Sequence, residues 1–571
     1  MAHWIQGPSM LSLFRTLVRS LVVAIELIMG MLLVAGCWAL FSLRMPPPVD
    51  PDEAVSVPER IAIEDGWRSG TARIQRNRFG LWEAYLEGGD LERGLRFGSL
   101  ARELVREQEE LFIERIKLLV PDEQKLKWLR WFLAFFNRDL EKHVPEEFKR
   151  EIYGVSRSFS PDYDLIGEPY ERALNYHGAH DIGHALQDLA LVGCTSFAAW
   201  GKHTKDGELL IGRNFDFDMG EAFACNKIVL FMRPEKGIPF AQVTWAGMMG
   251  TVSGMNLEGL TVTINASRSR VPTAARTPIS ILAREILQYA SDLEEAVAIA
   301  GSREVFVSES ILVGSAKDGR ALIIEKAPDG MGIYDPESGR VVCANHYQSG
   351  TFAETVENLA NLEESDSRSR FVRMNQLLDQ HTALGPVDAA EILRDMQGPD
   401  GRSVGSGNPI AINQLIAHHS VIFQPATRKM WVSAGPFQIG PYVSYDLDHI
   451  FSKDLTDLLH PLLDPAATIP ADSFLTSPAM DDFVWHRAMR TAIKEQLVLG
   501  SPWPLSKEDE ERFIATDPEN YDTFVTLGDL FAALDRCDRA EVFYAIALDK
   551  VVASEAERRA IEKAMTTCGM N

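Results

Sequence analysis

The sequence is short of cysteine and of positive charge. Its six cysteines (Cys37, Cys194, Cys225, Cys343, Cys537 and Cys568) are too few and too scattered for a disulfide scaffold, and no Cys-x-x-Cys pair is present to hold zinc. Lys and Arg number 57 against 81 Asp and Glu, a net charge of −24. That balance argues against nucleic acid or an anionic membrane surface as the main partner, because both need a positive field. The hydrophobic fraction of 46% and charged fraction of 24% are those of a globular protein, which excludes a mostly disordered or multi-span chain. At 571 residues the chain is too long for one compact domain of usual size, and two to four units are expected.

From Leu21 to Leu43 runs an apolar stretch with one charge, Glu26, long enough to span a bilayer with some tilt. Arg15 and Arg19 precede it, and the acidic, proline-rich PPPVDPDE follows Arg44. This asymmetry predicts a single-pass anchor with the N-terminus inside and the rest outside the cytoplasm, on the periplasmic side of a bacterium. Val34-Ala35-Gly36-Cys37 resembles a bacterial lipobox. On that alternative Cys37 carries lipid and the preceding segment is removed.

Four units follow from the texture of the chain. Residues 1–45 are the cytoplasmic N-terminus and anchor. Residues 46–193 are a linker and a helical pre-segment, apolar at three- and four-residue spacing from about residue 80. From Cys194 short runs rich in Val, Ile, Thr and Phe alternate with glycine turns. CTSFAAWG, a turn at Lys205-Asp206-Gly207 and ELLIGRNFDF read as a hairpin. Two further hairpins, two helices opened near Pro278, and more strands make 194–465 a layered α+β domain. Residues 466–571 are a linker and a helical tail. There Phe524, Leu527, Gly528, Phe531, Ala540, Tyr544 and Ala547 fall at the spacing of one tetratricopeptide repeat. One repeat cannot bury its own face, so it must lean on the enzyme domain, on flanking helices or on a protein partner. Cys537 and Cys568 either form a disulfide or remain two free thiols.

A cysteine that starts a strand, followed one hairpin later by Arg213 and Asp216, suits an N-terminal nucleophile. Such an enzyme attacks with the thiol of its first residue and uses the α-amine of that residue as base. An ordinary α-amine has a pKa of about 7.7–8.0, so it accepts a proton near neutral pH without a histidine. The amine must first be released by cutting Gly193–Cys194. Gly193 has no side chain to obstruct attack of the Cys194 thiol on its carbonyl.

GCTSF, GRNFDF, MNLEGLTVTIN, ANHY and SRFVR occur in that order. Together they resemble the acyl-CoA:6-aminopenicillanic acid (isopenicillin N) acyltransferase branch of N-terminal nucleophile hydrolases, related to choloylglycine hydrolases and acid ceramidase. The resemblance covers roughly residues 190–450. It implies a four-layer αββα sandwich and no metal or organic cofactor. It implies Cys194 as nucleophile and new N-terminus, Arg213 beside the thiol, favouring thiolate, and Asp216 orienting the α-amine. It further implies Asn265 as oxyanion donor, Asn345 as the asparagine that positions substrate and nucleophile, and Arg370 completing the polar cluster. The expected activity is a self-processing cysteine amidohydrolase or N-acyltransferase on linear amide bonds. Its substrate is a small acyl amide or acyl thioester, with Phe215, Phe217 and Trp245 lining an apolar acyl pocket.

Other readings compete. Arg213–Asp216 can be a structural ion pair, Asn265 and Asn345 strand-end or turn residues, and Arg370 a surface residue. Cys225 and Cys343 read as buried structural thiols. His177, His180 and His184 share one helical face, a spacing that could hold a metal, but they read as packing near the cleavage junction. His419 invites a conventional Cys–His peptidase pairing with Cys194. An inactive hydrolase fold serving as an anchored binding or scaffold protein is the remaining alternative.

Overall fold

The computed structural model describes residues 45–50, 55–119, 122, 124–125, 135–164, 166–178, 193–217, 220–270, 274–381, 383–452 and 462–569. The anchor expected over 21–43, the lipobox at Cys37, and His180 and His184 lie outside the described residues. Among the described residues no helix is long and apolar enough to cross a membrane.

Eighteen strands among the described residues, numbered in chain order, form two sheets. The first runs in spatial order β1 (Ile61–Ile63), β2 (Gly66–Ser69), β3 (Ala72–Arg76), β4 (Trp82–Gly88), β7 (Ile228–Pro234), β8 (Phe240–Thr244), β9 (Ser253–Asn256), β10 (Leu260–Ala266), β11 (Glu309–Ser315), β12 (Arg320–Ala327) and β13 (Gly330–Tyr334). The second runs β14 (Arg340–Cys343), β5 (Thr195–Ala199), β6 (Leu210–Phe215), β15 (His419–Gln424), β16 (Lys429–Ser433), β17 (Tyr442–Asp446) and β18 (Asp464–Ile469). Neighbours are antiparallel except β4 and β7, which pair in parallel from Trp82↔Ile228 to Gly88↔Pro234.

Alternation along the strands builds the layers. In β7, Ile228, Leu230 and Met232 face one way, while Val229 and Phe231 face the other. Phe231, Val243 and Ile323 of the first sheet meet Ile211, Val421 and Val432 of the second in the central core. The outer face of the first sheet (Leu230, Val262, Ile324) is covered by the helices Asp90–Leu100, Glu146–Ser156 and Ile279–Tyr289 through Phe97, Ile152 and Ile286. The outer face of the second (Phe197, Leu210, Ile422) is covered by Ser367–Gln380 and Pro386–Leu393 through Met374, Leu377 and Ile392. The result is the expected α+β order of helix, sheet, sheet, helix. With both faces covered, strands such as β7 and β10 bury nearly every residue, which suits their β-branched content.

Three expectations need correction. The segment before Cys194 is not helical throughout from residue 80, since Trp82–Gly88 is a strand and β1–β3 precede it. A buried strand with parallel pairing shows no period-two alternation, so periodicity alone misreads it. The boundary at 193/194 therefore divides one sheet rather than two domains, and the boundary at 465 falls inside β18, which pairs with β17. Cys225 is exposed, at the end of the short helix Glu221–Cys225, whereas Cys343 is buried.

The tail contains the helices Pro478–Val498, Lys507–Thr516, Tyr521–Ala533, Cys537–Asp549 and Glu555–Gly569. Gly528 lets two of them close up, since a Cβ there would lie 2.5 Å from the Tyr544 ring. Their apolar cluster includes Val404 and Ile410 of the loop that precedes β15. Ser406 N donates to the Asp517 carboxylate at 3.2 Å, and Asn520 Nδ2 donates to Ser406 O at 3.0 Å. The tail thus leans on the two-sheet domain. Of the two states open to Cys537 and Cys568, the structure has the disulfide.

Candidate active site

Cys194 sits immediately before β5, fully buried. The pairing of β5 with β6 sets Ser196 opposite Arg213 and Thr195 opposite Asn214, so the arginine is delivered beside the start of the strand. Arg213 Nη2 donates to Cys194 Sγ at 3.5 Å. The guanidinium is fixed by Val252 O at 2.9 Å, by Ile264 O and by Ser253 Oγ, and it lies 4.4 Å over the Phe215 ring. Burial pushes the Cys194 thiol up to about 11, and the charge of Arg213 opposes this without overcoming it. In the intact chain Cys194 is therefore held as a thiol.

Arg370 joins the main chain at the junction to the neighbouring polar groups. Its Nη1 donates to Cys194 O at 2.7 Å and to Thr195 Oγ1 at 2.8 Å, and its Nη2 donates to Asn345 Oδ1 and Asp366 Oδ1, both at 2.8 Å. Asn345 Nδ2 donates to Ala266 O at 2.8 Å. Asn265, at the end of β10, accepts from Ser196 Oγ at 2.8 Å and donates through Nδ2 to Cys343 O at 2.9 Å. It ties the first sheet to two strands of the second. Arg370 is buried, not a surface residue.

Asp216 is wholly buried, and burial lifts its carboxyl to about 7, against the pull of Arg370 and Arg213. It accepts from Gln438 Nε2 at 3.4 Å and Gln414 Nε2 at 3.5 Å. Its main-chain oxygen accepts from Gly193 N at 3.0 Å, and Gly193 O accepts from Gln414 Nε2 at 3.0 Å. The six polar residues expected from the sequence thus converge on one buried region. Gln414, Gln438 and Ser253 join them without any motif having pointed to them.

The aromatic expectations divide. Phe217 and Trp245 line a cavity of about 40 Å³ with Val105, Phe112, Phe159 and Met248, their rings stacked with centroids 6.2 Å apart. Phe215 does not line it. It stacks on Phe217 at 5.8 Å and serves as the platform under Arg213. A chain of contacts, Phe217 on Phe215, Phe215 under Arg213 and Arg213 on the thiol, links the cavity wall to Cys194.

The Cys–His alternative is corrected. His419 Nε2 is hydrogen-bonded to Ser253 Oγ and its Nδ1 to His418 Nδ1, both at 2.8 Å, while Arg213 occupies the approach to the thiol. Burial holds both histidines well below the usual histidine range, so both are neutral. His177 is equally committed, between Ala173 O at 2.7 Å and Met249 N at 2.8 Å. Among the described residues no group of three or more His, Cys, Asp or Glu could hold a metal.

The helix–sheet–sheet–helix sandwich thus carries a buried polar cluster at the head of an inner strand. Residues 203–438 match the model of the acyl-coenzyme A:6-aminopenicillanic acid acyl-transferase family, so the resemblance drawn from the motifs is borne out over that segment. The match begins after Cys194.

Among curated relatives, a protein of Archaeoglobus fulgidus is 23% identical over 411 residues, 64% of this chain and 66% of its own length. Protein dcd1B of Dictyostelium discoideum is 22% identical over 44% of this chain and 52% of its own length. The N-acylethanolamine-hydrolyzing acid amidase of Caenorhabditis elegans is 24% identical over 38% of this chain and 59% of its own length. The chain thus covers between half and two thirds of these relatives. Among solved structures, the Caenorhabditis elegans N-acylethanolamine-hydrolyzing acid amidase ortholog aligns over 41% of this chain and 93% of its own, at 18% identity and a TM-score of 0.31. A conjugated bile acid hydrolase variant of Clostridium perfringens aligns over 46% and 94%, at 13% identity and the same TM-score.

Proposed function

We propose that this chain is a self-processing cysteine amidohydrolase or N-acyltransferase that cuts Gly193–Cys194 and then carries acyl groups as a thioester on Cys194. One observation carries the reading: Arg213 contacts the Cys194 thiol, while both ring nitrogens of His419 are engaged elsewhere. The base is then the α-amine that cleavage releases.

Once free, the amine takes the thiol proton, and the thiolate beside Arg213 attacks the acyl carbonyl of the substrate. The amine returns its proton to the leaving nitrogen of an amide, and the acyl group remains on sulfur. Water or an acceptor amine then attacks the thioester and regenerates the thiol. Asp216 orients the α-amine, Asn265 and Asn345 serve the oxyanion and the substrate, and Arg370 holds Asn345 and the Cys194 main chain. The aromatic cavity that includes Phe217 and Trp245 suits an apolar acyl group, and the acid amidase relative is named for hydrolysing an N-acylethanolamine. The catalytic domain lies outside the cytoplasm, held by residues 21–43. The Cys537–Cys568 disulfide supports this, since such bonds persist in oxidising compartments.

Intact mass of the purified wild type and of Cys194→Ala tests the reading. Fragments 1–193 and 194–571 in the wild type, with an uncut variant, support it. An uncut wild type whose Cys194 resists a thiol-reactive acyl probe refutes it.

A further inference from the structure

We propose that Gln414 is the oxyanion donor of the self-cleavage step: its side-chain amide receives the negative charge that forms on Gly193 O when Cys194 attacks. The proposal rests on the reading that the chain cuts itself, and it assigns a catalytic residue which that reading leaves without a role.

The geometry sets Gln414 apart from the asparagines. In the intact chain Asn265 Nδ2 donates to Cys343 O and Asn345 Nδ2 donates to Ala266 O. Gln414 Nε2 instead lies 3.0 Å from the oxygen of the bond to be cut. The glutamine is buried and has little freedom to leave. Its amide also reaches Asp216 Oδ2 at 3.5 Å. On one side Asn413 N donates to Asp395 O at 2.8 Å. On the other, Leu415 takes a left-handed φ of 53°, its N donates to Asn413 Oδ1 at 3.0 Å, and its O accepts from Arg487 of the tail helix at 3.1 Å. The loop is therefore pinned from both ends. Gly193 is matched to it. A Cβ at 193 would lie 2.9 Å from Gln414 Nε2 and 3.3 Å from Oε1, so the space a side chain would need is already filled by the donor. Gly193 N, donating to Asp216 O, fixes the other side of the residue.

The step balances. Sγ of Cys194 bonds to the Gly193 carbonyl carbon, the C=O becomes a C–O⁻ facing Gln414 Nε2, and the thiol proton passes to the nitrogen of Cys194. The C–N bond then breaks as the carbonyl re-forms, leaving a Gly193–Sγ thioester and a free α-amine. Water hydrolyses the thioester to the Gly193 carboxylate and the Cys194 thiol. A donor already in place costs no reorganisation as the charge develops. Loss of one such donor slows acyl-transfer steps by about 10²–10³.

The test compares cleavage rates of wild type, Gln414→Met and Gln414→Leu by intact mass after rapid purification, with circular dichroism to establish folding. Methionine keeps the length and removes the donor, and leucine removes it with a branched apolar side chain. The expected result is cleavage slowed about a hundredfold or more in each folded variant, with less hydroxylamine-trapped thioester at Gly193. Cleavage within threefold of wild type in either folded variant overturns the assignment of Gln414 and leaves self-processing standing. A wild type that never cuts overturns self-processing, and Gln414 with it.

Discussion

Asp216→Asn, made in the uncut Cys194→Ala chain, converts the buried carboxyl into a measurable pH slope. Two guanidinium groups, Arg370 and Arg213, pull the Asp216 pKa down, and burial pushes it up. Burial wins, and the group titrates at about 7 instead of the ordinary 3.8. The folded chain thus holds this proton more tightly than the unfolded chain does. The stabilisation is complete below the unfolded pKa and is lost as pH rises through the folded one. The slope between the two is about 1.4 kcal/mol per pH unit, and the whole span is worth about 4 kcal/mol. The asparagine variant does not titrate at this position, and subtracting its curve removes the other ionisable groups to first order. The assay is urea unfolding of both chains from about pH 5.5 to about pH 8.5, with the difference in unfolding free energy plotted against pH. The parent's advantage should fall by about 1.4 kcal/mol between about pH 5.5 and 6.5 and level off above about pH 8. A difference that is flat or rises across that range refutes the balance argued for the site.

Asn265→Ala should cut turnover of the processed enzyme by about a hundredfold or more, the usual cost of an oxyanion donor, and destabilise the chain by about 1–3 kcal/mol because Ser196 and Cys343 O lose their partner. Steady-state kinetics with any turned-over acyl amide checks the first, and an unchanged rate refutes the role. After self-cleavage, fragments 1–193 and 194–571 should co-elute on gel filtration and part only in denaturant. The β4–β7 ladder and the buried pair Arg284–Glu151, 3.3 Å apart, both cross the cut. Separation under native conditions refutes this.

The two-sheet core was legible where structure is local. The Lys205-Asp206-Gly207 and Asp318-Gly319 turns place glycine at φ of 80° and 64°, and the hairpins they close carry the expected strands. The polar cluster was legible through the resemblance its ordered motifs carry: Cys194, Asp216, Asn265 and Asn345 stand at or just beyond strand ends, Arg213 within β6 and Arg370 in the helix Ser367–Gln380. Phe215 was misassigned although the signal was present: two residues from Arg213 on one strand, it shares that face and lies under the guanidinium. The strands before residue 90 were missed because β4 is buried on both faces and its parallel partner lies far along the chain. Gln414 could not be found. It stands in a loop 221 residues from Gly193, with no motif around it, and only the fold brings the two together.

The position of the cut bears on what cleavage accomplishes. A pro-segment that merely blocks a site leaves the rest of the enzyme complete when it goes. Here the residues before Cys194 supply four strands of the larger sheet and two of the helices that cover its outer face, Asp90–Leu100 and Glu146–Ser156. They also supply Val105, Phe112 and Phe159 to the cavity whose other walls are Phe217, Trp245 and Met248. Losing them would open a core and remove one wall of that cavity, so on the self-processing reading the N-terminal fragment stays part of the folded protein. The junction itself is buried, with Gly193 N on Asp216 O, Arg370 on Cys194 O and Gln414 on Gly193 O. On the self-processing reading, the change at 193/194 is therefore chemical rather than architectural. It turns an amide nitrogen into an amine beside a thiol that burial otherwise keeps protonated, and so supplies the one base the surrounding histidines, neutral and engaged elsewhere, do not.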